Sequence, residues 1–394
     1  MAAALFRSDV FLAPEFPRFS DREYRRRERL VREMLEKEGL QGLLIYAPSA
    51  HSPGTVSYLS NYSGPWPAHL VFPYSGEPTL LLHFRNHVPC AKDMAVVKDI
   101  RWHGNDPAAA VMESFRRHRL ERSRIGVVSI GTIPHAEYES IVHLTPEAEL
   151  VDVSRQYNWI RWIRSDEELT WIRRSAALTD MAAQALKEEA KPGLTEHDLN
   201  AIIHRAVLGR AGLVRVGFLT ATSMSAPSVY VPWQFPRKRR LRRGDVLITE
   251  MTVSYYGYQA QLHRPFVVGA EPTPRYRGLF DVALECFNRV VRSMKPGATA
   301  EDVVKASSVL EENGFTSFDS LVHGEGGKNP ELGSRSSGLP MEDFTFRKGM
   351  VVVIQPQPVT RDMKAGLQLG AACLIAEDGA HSLHRFPFEF TRCA

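Results

Sequence analysis

Cysteine is scarce in this sequence, and its few cysteines form no recognisable motif. Only four of the 394 residues are cysteine, and no two of them have the C-x-x-C spacing. They are Cys90, Cys286, Cys373 and Cys393. This pattern excludes a disulfide-rich secreted fold and a zinc knuckle, and it indicates a reducing compartment, which we expect to be the cytoplasm.

Long apolar runs and a strong charge imbalance are also absent. No stretch approaches the roughly 18 to 20 apolar residues that a membrane span needs. The opening segment, MAAALFRSDVFLAPEF, places acid and proline where a signal peptide has an unbroken apolar core. The 49 Lys and Arg against 45 Asp and Glu give a net charge of +4, too small to indicate nucleic acid. We therefore expect a soluble intracellular protein without membrane or nucleic-acid partners.

The length favours two domains, and the pattern of the sequence changes near residue 160. Before that point, helical spacing over residues 22–39 is followed by short apolar runs between turn residues, namely GLLIYA, HLVFP, PTLLLHF and IGVVSI. After it, a long helix is predicted over residues 165–189, with acidic residues in its first turn. We predict an α/β domain over residues 1–160 and a second domain over residues 161–394.

The second half contains an internal repeat. The segment KPGLTEHDL, which begins at Lys191, recurs as KPGATAEDV from Lys295. Likewise RGDVLITE, which begins at Arg243, recurs as KGMVVVIQ from Lys348. Both pairs are separated by nearly the same number of residues, which chance rarely produces. We predict a duplicated helix–helix–strand–hairpin unit whose halves enclose a cleft, the usual place for a site.

The two predicted hairpins carry amide side chains inside otherwise apolar strands. The first hairpin, GDVLITEMTVSYYGYQAQLHRPFVVG, is predicted to turn at its YG pair and to return as a strand over residues 258–268. On that strand Gln259, Gln261 and His263 share one face, because side chains alternate along a strand. When the turn glycines of the two hairpins are aligned, Gln259 matches Gln368. The matched amides predict a polar face inside the cleft.

Several of these segments resemble the pita-bread family, which includes prolidase, aminopeptidase P, methionine aminopeptidase, creatinase and ectoine hydrolase. They are the repeated K-P-G-x-T helices, the G-D-x-x-x-x-E hairpin, the VHGEGG loop, the GMVVVIQP strand, and in the first half YLSNY and WIRSDEE. The resemblance covers nearly the whole chain and implies an α+β fold. Its C-terminal pita-bread domain has a curved antiparallel sheet covered by helices, and its N-terminal domain is a smaller creatinase-type α/β domain. The resemblance also implies a homodimer.

The family's metal positions are the place where this sequence departs from the resemblance. Metallopeptidases of the family hold two divalent ions with two Asp, one His and two Glu residues. The positions that match here are Glu250, Gln261, Gly327, Gln355 and Gly370. Amides substitute poorly for carboxylates around hard divalent cations, and two such ions bring four positive charges. We therefore expect neither metal nor any other cofactor.

A metal-free member of the family resembles creatinase and ectoine hydrolase, which hydrolyse C–N bonds in small nitrogen-rich substrates. The resemblance implies Glu250 as general base or nucleophile and His323 as proton donor or oxyanion stabiliser. The candidate substrate-binding residues are polar side chains that suit an amide, ureido or amidine group. They are Gln259, Gln261, Gln355, Gln368, Tyr230 and Tyr258. The expected partner is a small-molecule substrate.

Three alternatives stay open at this point. A lyase on the same scaffold would use Glu250 to abstract a proton. A non-catalytic binding protein would use the basic run RKRRLRR over residues 237–243 as a contact surface, although such a run is also typical of a solvated loop. A divergent Xaa-Pro metallopeptidase would hold its metals with displaced ligands. Creatinase activity itself is not expected, because residues 222–232 lack the histidine that the resemblance requires there.

Overall fold

The structure is a computed structural model that divides into two compact units. The first unit ends at Trp162 and the second begins at Ile163. The residues that the structure describes are 16–48, 55–324, 330–339 and 344–393. Within these ranges, no helix combines the length and the apolar character that a membrane span requires.

The first unit is a mixed sheet with accompanying helices. Its helices are α1 (Asp21–Glu38), α2 (Ser57–Ser60), α3 (Val88–Met94), α4 (Pro107–Arg117), α5 (His135–Leu144) and α6 (Ser154–Trp162), with 3-10 turns at Arg85–His87 and Ile130–Thr132. Its strands are β1 (Gly42–Ala47), β2 (Ala68–Pro73), β3 (Thr79–Leu82), β4 (Asp99–Trp102), β5 (Arg124–Val128) and β6 (Glu149–Asp152). The strand order is β4-β3-β2-β1-β5-β6. Strand β2 runs antiparallel to both neighbours, and the other pairs are parallel.

Local sequence signals explain where the first elements begin and end. The side chain of Ser20 accepts a hydrogen bond from the backbone N–H of Glu23 and caps α1. Gly39 ends the helix in the left-handed conformation, with φ of 65°, which glycine adopts at little cost. The helix predicted over residues 22–39 is therefore confirmed. Strand β1 follows at once and is buried along its whole length, as a central strand between two neighbours should be.

The second unit combines a larger sheet with helices. Its helices are α7 (Asp166–Glu189), α8 (Glu196–Leu208), α9 (Pro274–Ser293), α10 (Ala300–Ala306) and α11 (Val309–Glu312). Its strands are β7 (Gly212–Ser223), β8 (Asp245–Tyr255), β9 (Tyr258–His263), β10 (Phe266–Val268), β11 (Ser320–His323), β12 (Glu331–Gly333), β13 (Val351–Ile354), β14 (Gly370–Ala376), β15 (Gly379–Ser382) and β16 (Thr391–Cys393). The order is β12-β11-β13-β14-β9-β8-β10-β16, with β15 beside β14 and β7 beside β8.

The internal repeat is visible as two copies of one helix start. Thr195 caps α8 and Thr299 caps α10. In each case the aspartate three residues later forms the second half of the capping interaction. In both copies the threonine side chain accepts from the aspartate N–H, and the aspartate side chain accepts from the threonine N–H, as in a capping box. Both copies of the K-P-G-x-T motif thus start a helix with the same capping interaction, which confirms the predicted duplication of this element.

The first hairpin turns where the sequence predicts but does not return as one strand. Tyr256 and Gly257 both have positive φ, 45° and 88°, as the tight turn between β8 and β9 requires. The return strand predicted over residues 258–268 is wrong, because it is divided into β9 and β10. Pro265 has no N–H to donate to a ladder, and Arg264 turns its guanidinium into the interior, where it donates to backbone carbonyls.

Candidate active site

The register of β8 and β9 places the predicted polar residues on one face of the second sheet. Thr252 lies opposite Gln261 and Ser254 opposite Gln259. Side chains alternate along both strands, so Glu250, two residues before Thr252, faces the same side. The polar face predicted for the return strand is therefore present, and it includes Glu250.

The opposite face of β9 is covered by α7. The hydroxyl of Ser175 donates to Tyr258 O at 2.7 Å, and that of Thr179 donates to Ala260 O at 2.9 Å. Tyr258 itself points to this covered face, where its hydroxyl donates to Oε1 of Glu168 at 3.0 Å. The structure thus contradicts the predicted substrate contact of Tyr258, because strand alternation turns its ring away from Gln261.

Glu250 and Gln261 are joined directly across the two strands. Nε2 of Gln261 donates to Oε1 of Glu250 at 2.7 Å and lies 3.2 Å from Nε2 of His263. An amide NH2 group has two hydrogens, so it can serve both neighbours when His263 is neutral and accepts at Nε2. Burial, reinforced by the charges of His323 and Arg264, holds the pKa of His263 well below its usual value and keeps the ring neutral.

The carboxyl group of Glu250 is largely buried, and its hydrogen-bond partner, the amide of Gln261, is neutral. Burial first, and then the negative charge of Asp319, raise its pKa from the ordinary 4.5 to about 8. The hydrogen bond from Gln261 acts in the opposite direction but does not offset burial. A carboxyl with a pKa near the working pH can exchange a proton with substrate or water.

His323 ends β11 and lies close to Gln355, which follows β13. Its Nδ1 lies 2.7 Å from the carbonyl oxygen of Gly324, which can only accept, so Nδ1 carries a proton. Its Nε2 lies 3.1 Å from Oε1 of Gln355. A cavity in the second unit is lined by His323 together with Gln259 and Gln261. The structure therefore brings these three predicted residues around one cavity.

Asp319 is an acidic site residue that the sequence analysis missed. Its carboxylate accepts a hydrogen bond of 3.2 Å from Nε2 of Gln368, and it interacts electrostatically with Glu250. Burial is the largest of the effects that raise the pKa of Asp319. One signal could have found it, since Asp319 lies four residues before His323 and an even spacing favours the same face of an extended segment.

Tyr230 lies at the end of this polar region. Its ring centroid is 5.9 Å from that of Phe318, the residue before Asp319. A side chain added at Gly366 would meet the backbone oxygen of Tyr230 at 2.3 Å, so the two segments are in close contact there. The structure thus places Tyr230 near Phe318 and near Gly366, two residues before Gln368.

The positions at which the family holds metal ions do not form a matching donor set. Glu250 is the one carboxylate at these positions within the described residues, and Gly327 lies outside them. Gly370 is closed to any side chain, because a Cβ there would meet Ile354 O at 2.4 Å and Nδ1 of His263 at 2.8 Å. Among the described residues no three His, Cys, Asp or Glu side chains are grouped as metal ligands. These donors do not fit a two-metal centre.

Two arginines of the basic run over residues 237–243 form ion pairs with carboxylates inside the protein. Arg237 forms a bidentate ion pair with the buried carboxylate of Glu196, with contacts of 2.6 and 3.0 Å. Arg239 likewise binds both oxygens of Asp245 at 2.7 Å. Charges neutralised inside the protein contribute little to an anion-binding surface, which weakens the interpretation of this run as a contact patch.

Comparison with known proteins identifies both halves of the chain. The model of metallopeptidase family M24 matches residues 170–377, and the model of the creatinase/prolidase N-terminal domain matches residues 26–164. The chain is 25% identical to the Xaa-Pro dipeptidase of Pyrococcus furiosus over 64% of this chain and 72% of that protein. It is 22% identical to the creatinase of Bacillus sp. strain B-0618 over 94% of this chain and 93% of that protein.

A solved structure shows the same architecture. The crystal structure of the prolidase from Pyrococcus horikoshii OT3 matches with a TM-score of 0.76 and 20% identity, over 93% of this chain and 99% of that one. The predicted pita-bread fold with a creatinase-type N-terminal domain is confirmed. The family model covers more than half of the sequence. The chain therefore belongs to metallopeptidase family M24.

Proposed function

We propose that this protein is a hydrolase that cleaves a C–N bond of an amide, ureido or amidine group in a small substrate, without a two-metal centre. The observation that carries the proposal is the pairing of Glu250 with Gln261. Where the family resemblance places two metal-binding carboxylates, this chain has one carboxyl group held by an amide. Such a pair can position a carboxyl group for proton transfer, but its single negative charge cannot neutralise the four positive charges of two divalent ions.

Glu250 is assigned the role of general base. Its pKa of about 8 lies near the working pH, where a base combines useful proton affinity with a sizeable unprotonated fraction. Gln261 holds one carboxylate oxygen at 2.7 Å, which leaves the other for a water molecule. In the hydrolytic step, water attacks the carbon of the C–N bond while Glu250 takes its proton.

His323 is assigned the role of proton donor to the leaving nitrogen. It lines the same cavity as Gln259 and Gln261, and its ring is held between Gly324 O and Gln355. As the C–N bond breaks, the nitrogen keeps the bonding electrons and takes a proton from His323. The amides of Gln259, Gln261 and Gln355 offer both donors and acceptors, which suits a substrate carrying amide-like groups.

A second candidate function is an Xaa-Pro dipeptidase with displaced metal ligands. It is favoured by the similarity to the Pyrococcus furiosus enzyme of that name. It is opposed by Gln261, Gln355 and Gly370 at the expected ligand positions. A lyase and a non-catalytic binder have no specific observation in their favour. We also propose a cytoplasmic homodimer, as the family resemblance implies.

One experiment tests the hydrolase proposal against its alternatives. The purified protein is screened with small amides, ureas and amidines in heavy-oxygen water, with and without EDTA. Incorporation of the heavy oxygen into product, unaffected by the chelator and lost in Glu250→Gln, supports metal-free hydrolysis. Turnover of Xaa-Pro dipeptides that EDTA abolishes would instead assign the chain to the metallopeptidases, and unlabelled product would make it a lyase.

A further inference from the structure

The pairing between the β13 and β14 segments continues beyond the strands themselves. The backbone N–H groups of Leu367 and Leu369 donate to the carbonyl oxygens of the two prolines that flank Gln357, at 3.2 and 3.3 Å. This register places Gln357 directly opposite Gln368 in an antiparallel pair. Directly opposed residues point to the same side of a ladder, with Cβ atoms about 4.5–5.5 Å apart. The two glutamines are therefore neighbours on one face.

That face is the one that carries the candidate active site. Gln355 lies two residues before Gln357 in the same extended segment, so both side chains point to the same side. Oε1 of Gln355 contacts Nε2 of His323 at 3.1 Å. The Gln357–Gln368 pair therefore extends the polar row that begins at Glu250 and Gln261.

Both glutamines are buried with an acceptor oxygen left over. The exposed fractions are 2% for Gln357 and 0% for Gln368. Nε2 of Gln368 donates to Oδ2 of Asp319 at 3.2 Å, which fixes the orientation of that amide and leaves Oε1 as the second polar atom. Within the described residues, Oε1 of Gln357 and Oε1 of Gln368 have no hydrogen-bond partner. Buried acceptors normally take part in a hydrogen bond, so these two oxygens are suited to accept from a group that enters the site.

The surroundings of these acceptors favour positive charge. Asp319 lies next to Gln368 and within electrostatic range of Glu250. Phe318, which is 47% exposed, directly precedes Asp319, and its ring centroid lies 5.9 Å from that of Tyr230. A carboxylate, amide oxygens and aromatic faces together are the groups that bind organic cations. Burial has the largest effect on the pKa of Asp319 and raises it, whereas His323 interacts electrostatically with Asp319 and lowers it.

We propose that Asp319, Gln357 and Gln368 form a subsite that binds a cationic nitrogen group of the substrate, an ammonium, amidinium or guanidinium ion. Such a group has only donors, which match the carboxylate and the two amide oxygens. The inference rests on the proposed function and narrows its substrate class to compounds in which a positive nitrogen group accompanies the C–N bond that is cleaved.

Calorimetric titration with acetamidinium chloride tests the subsite, with acetamide as the neutral isostere and acetate as the anion. Wild type should bind acetamidinium saturably and acetamide about tenfold more weakly, because hydrogen bonds to a charged group are the stronger ones. Asp319→Asn should lose about tenfold in affinity for acetamidinium and little for acetamide. Gln357→Leu provides a second variant if Asp319→Asn does not fold. Asp378→Asn, an exposed residue paired with His381, is the matched control and should bind as wild type.

The titration is repeated in Glu250→Gln so that the two proposals can fail separately. Retained acetamidinium binding in that variant, without turnover, supports both. Absence of saturable acetamidinium binding, equal affinity in wild type and Asp319→Asn, or tighter binding of acetate would overturn the subsite and leave the hydrolase proposal standing. Turnover that survives Glu250→Gln would overturn the general-base assignment without affecting the binding result.

Discussion

The amide of Gln261 donates a 2.7 Å hydrogen bond to the carboxyl of Glu250 across the β8–β9 pair. Both residues stand at positions where the family resemblance places metal ligands, and only Glu250 can carry a charge. Because an amide brings no positive charge, its hydrogen bond offsets only part of the cost of burying an ionised carboxyl. The raised pKa of Glu250 follows, and it leads to two predictions that can be measured separately.

The first prediction concerns stability as a function of pH. The pKa of Glu250 is raised in the folded protein, from 4.5 to about 8. The folded state therefore holds the proton more tightly than the unfolded state, and this stabilising contribution is complete below about pH 4.5 and lost as the pH rises through about 8. Glu250→Gln cannot ionise, so it should be more stable than wild type by about 1 kcal/mol or more at about pH 9.

Urea unfolding at about pH 5 and about pH 9 measures this difference. Glu301→Gln is the matched control, since Glu301 is exposed in the same unit and its removal should change stability equally at both pH values. If wild type and Glu250→Gln lose stability in parallel between these pH values, Glu250 is not the group with the raised pKa.

The second prediction concerns the rate. A general base is active only when deprotonated, so kcat/KM should rise with pH and level off above about 8. Glu250→Gln should lower kcat by about 10²- to 10⁴-fold, the usual contribution of a positioned base. The measurement is a pH–rate profile of wild type on a substrate found in the screen. A profile that falls through about pH 8 would make Glu250 a general acid, the opposite role.

The third prediction separates Tyr258 from the site. Tyr258→Phe removes the hydroxyl that donates to the fully buried Glu168 at 3.0 Å, so stability should fall by about 1–3 kcal/mol. Turnover per folded molecule should stay within about twofold of wild type, because the ring lies on the face covered by α7. Unfolding and steady-state kinetics on the same preparations give both numbers. A loss of kcat/KM with unchanged stability would instead indicate that Tyr258 contacts the substrate.

The fourth prediction concerns the ion pair beneath the basic run. Glu196 is fully buried, binds Arg237 in a bidentate pair and also accepts from the backbone N–H of Ala221 at 2.9 Å. Glu196→Ala leaves the guanidinium without its partner and should cost about 3–5 kcal/mol. Glu189→Ala breaks an exposed pair with Arg205 and should cost no more than about 1 kcal/mol. If the two variants lose similar amounts of stability, Arg237 is solvated rather than dependent on Glu196.

Much of the fold could be predicted because its signals are local. The positive φ of Gly39 and Gly257 and the capping boxes at Thr195 and Thr299 depend on residues that are neighbours in the sequence. The division of the return strand at Pro265 was not predicted, although a proline inside a predicted strand argues against one continuous strand because it cannot donate to the ladder. The family and the pita-bread fold followed from several such motifs in the right order.

The site was harder to predict because its residues meet through long-range packing. The alternation of side chains along a strand was enough to place Gln259 and Gln261 on one face. The same rule places Tyr258, which is adjacent to Gln259, on the opposite face. The even spacing of Asp319 and His323 favours a shared face, but the approach of Asp319 to Glu250 also requires β11 and β8 to take their places in the sheet, which local spacing does not encode. The pairing of Gln357 with Gln368 likewise depends on a register that the prolines obscure in the sequence.

The last prediction restores charge to the polar face. Gln261→Asp combined with Gln355→Glu adds two carboxylates beside Glu250, which turns an amide-rich pocket into one with three anionic oxygen ligands, the type that Mn²⁺ prefers. Calorimetric titration with Mn²⁺ should show affinity at least about a hundredfold above wild type, since even the outer-shell partners of metal ligands commonly contribute 10- to 100-fold.

The same titration on wild type and on Gly370→Glu decides how far the family site has been lost. Gly370→Glu should destabilise the fold rather than add a ligand, because a Cβ there would meet Ile354 O at 2.4 Å. Wild type should bind Mn²⁺ without saturation and show no thermal shift. If wild type instead binds one or two equivalents tightly, Gln261 and Gln355 do not prevent a metal site, and the Xaa-Pro dipeptidase becomes the better proposal.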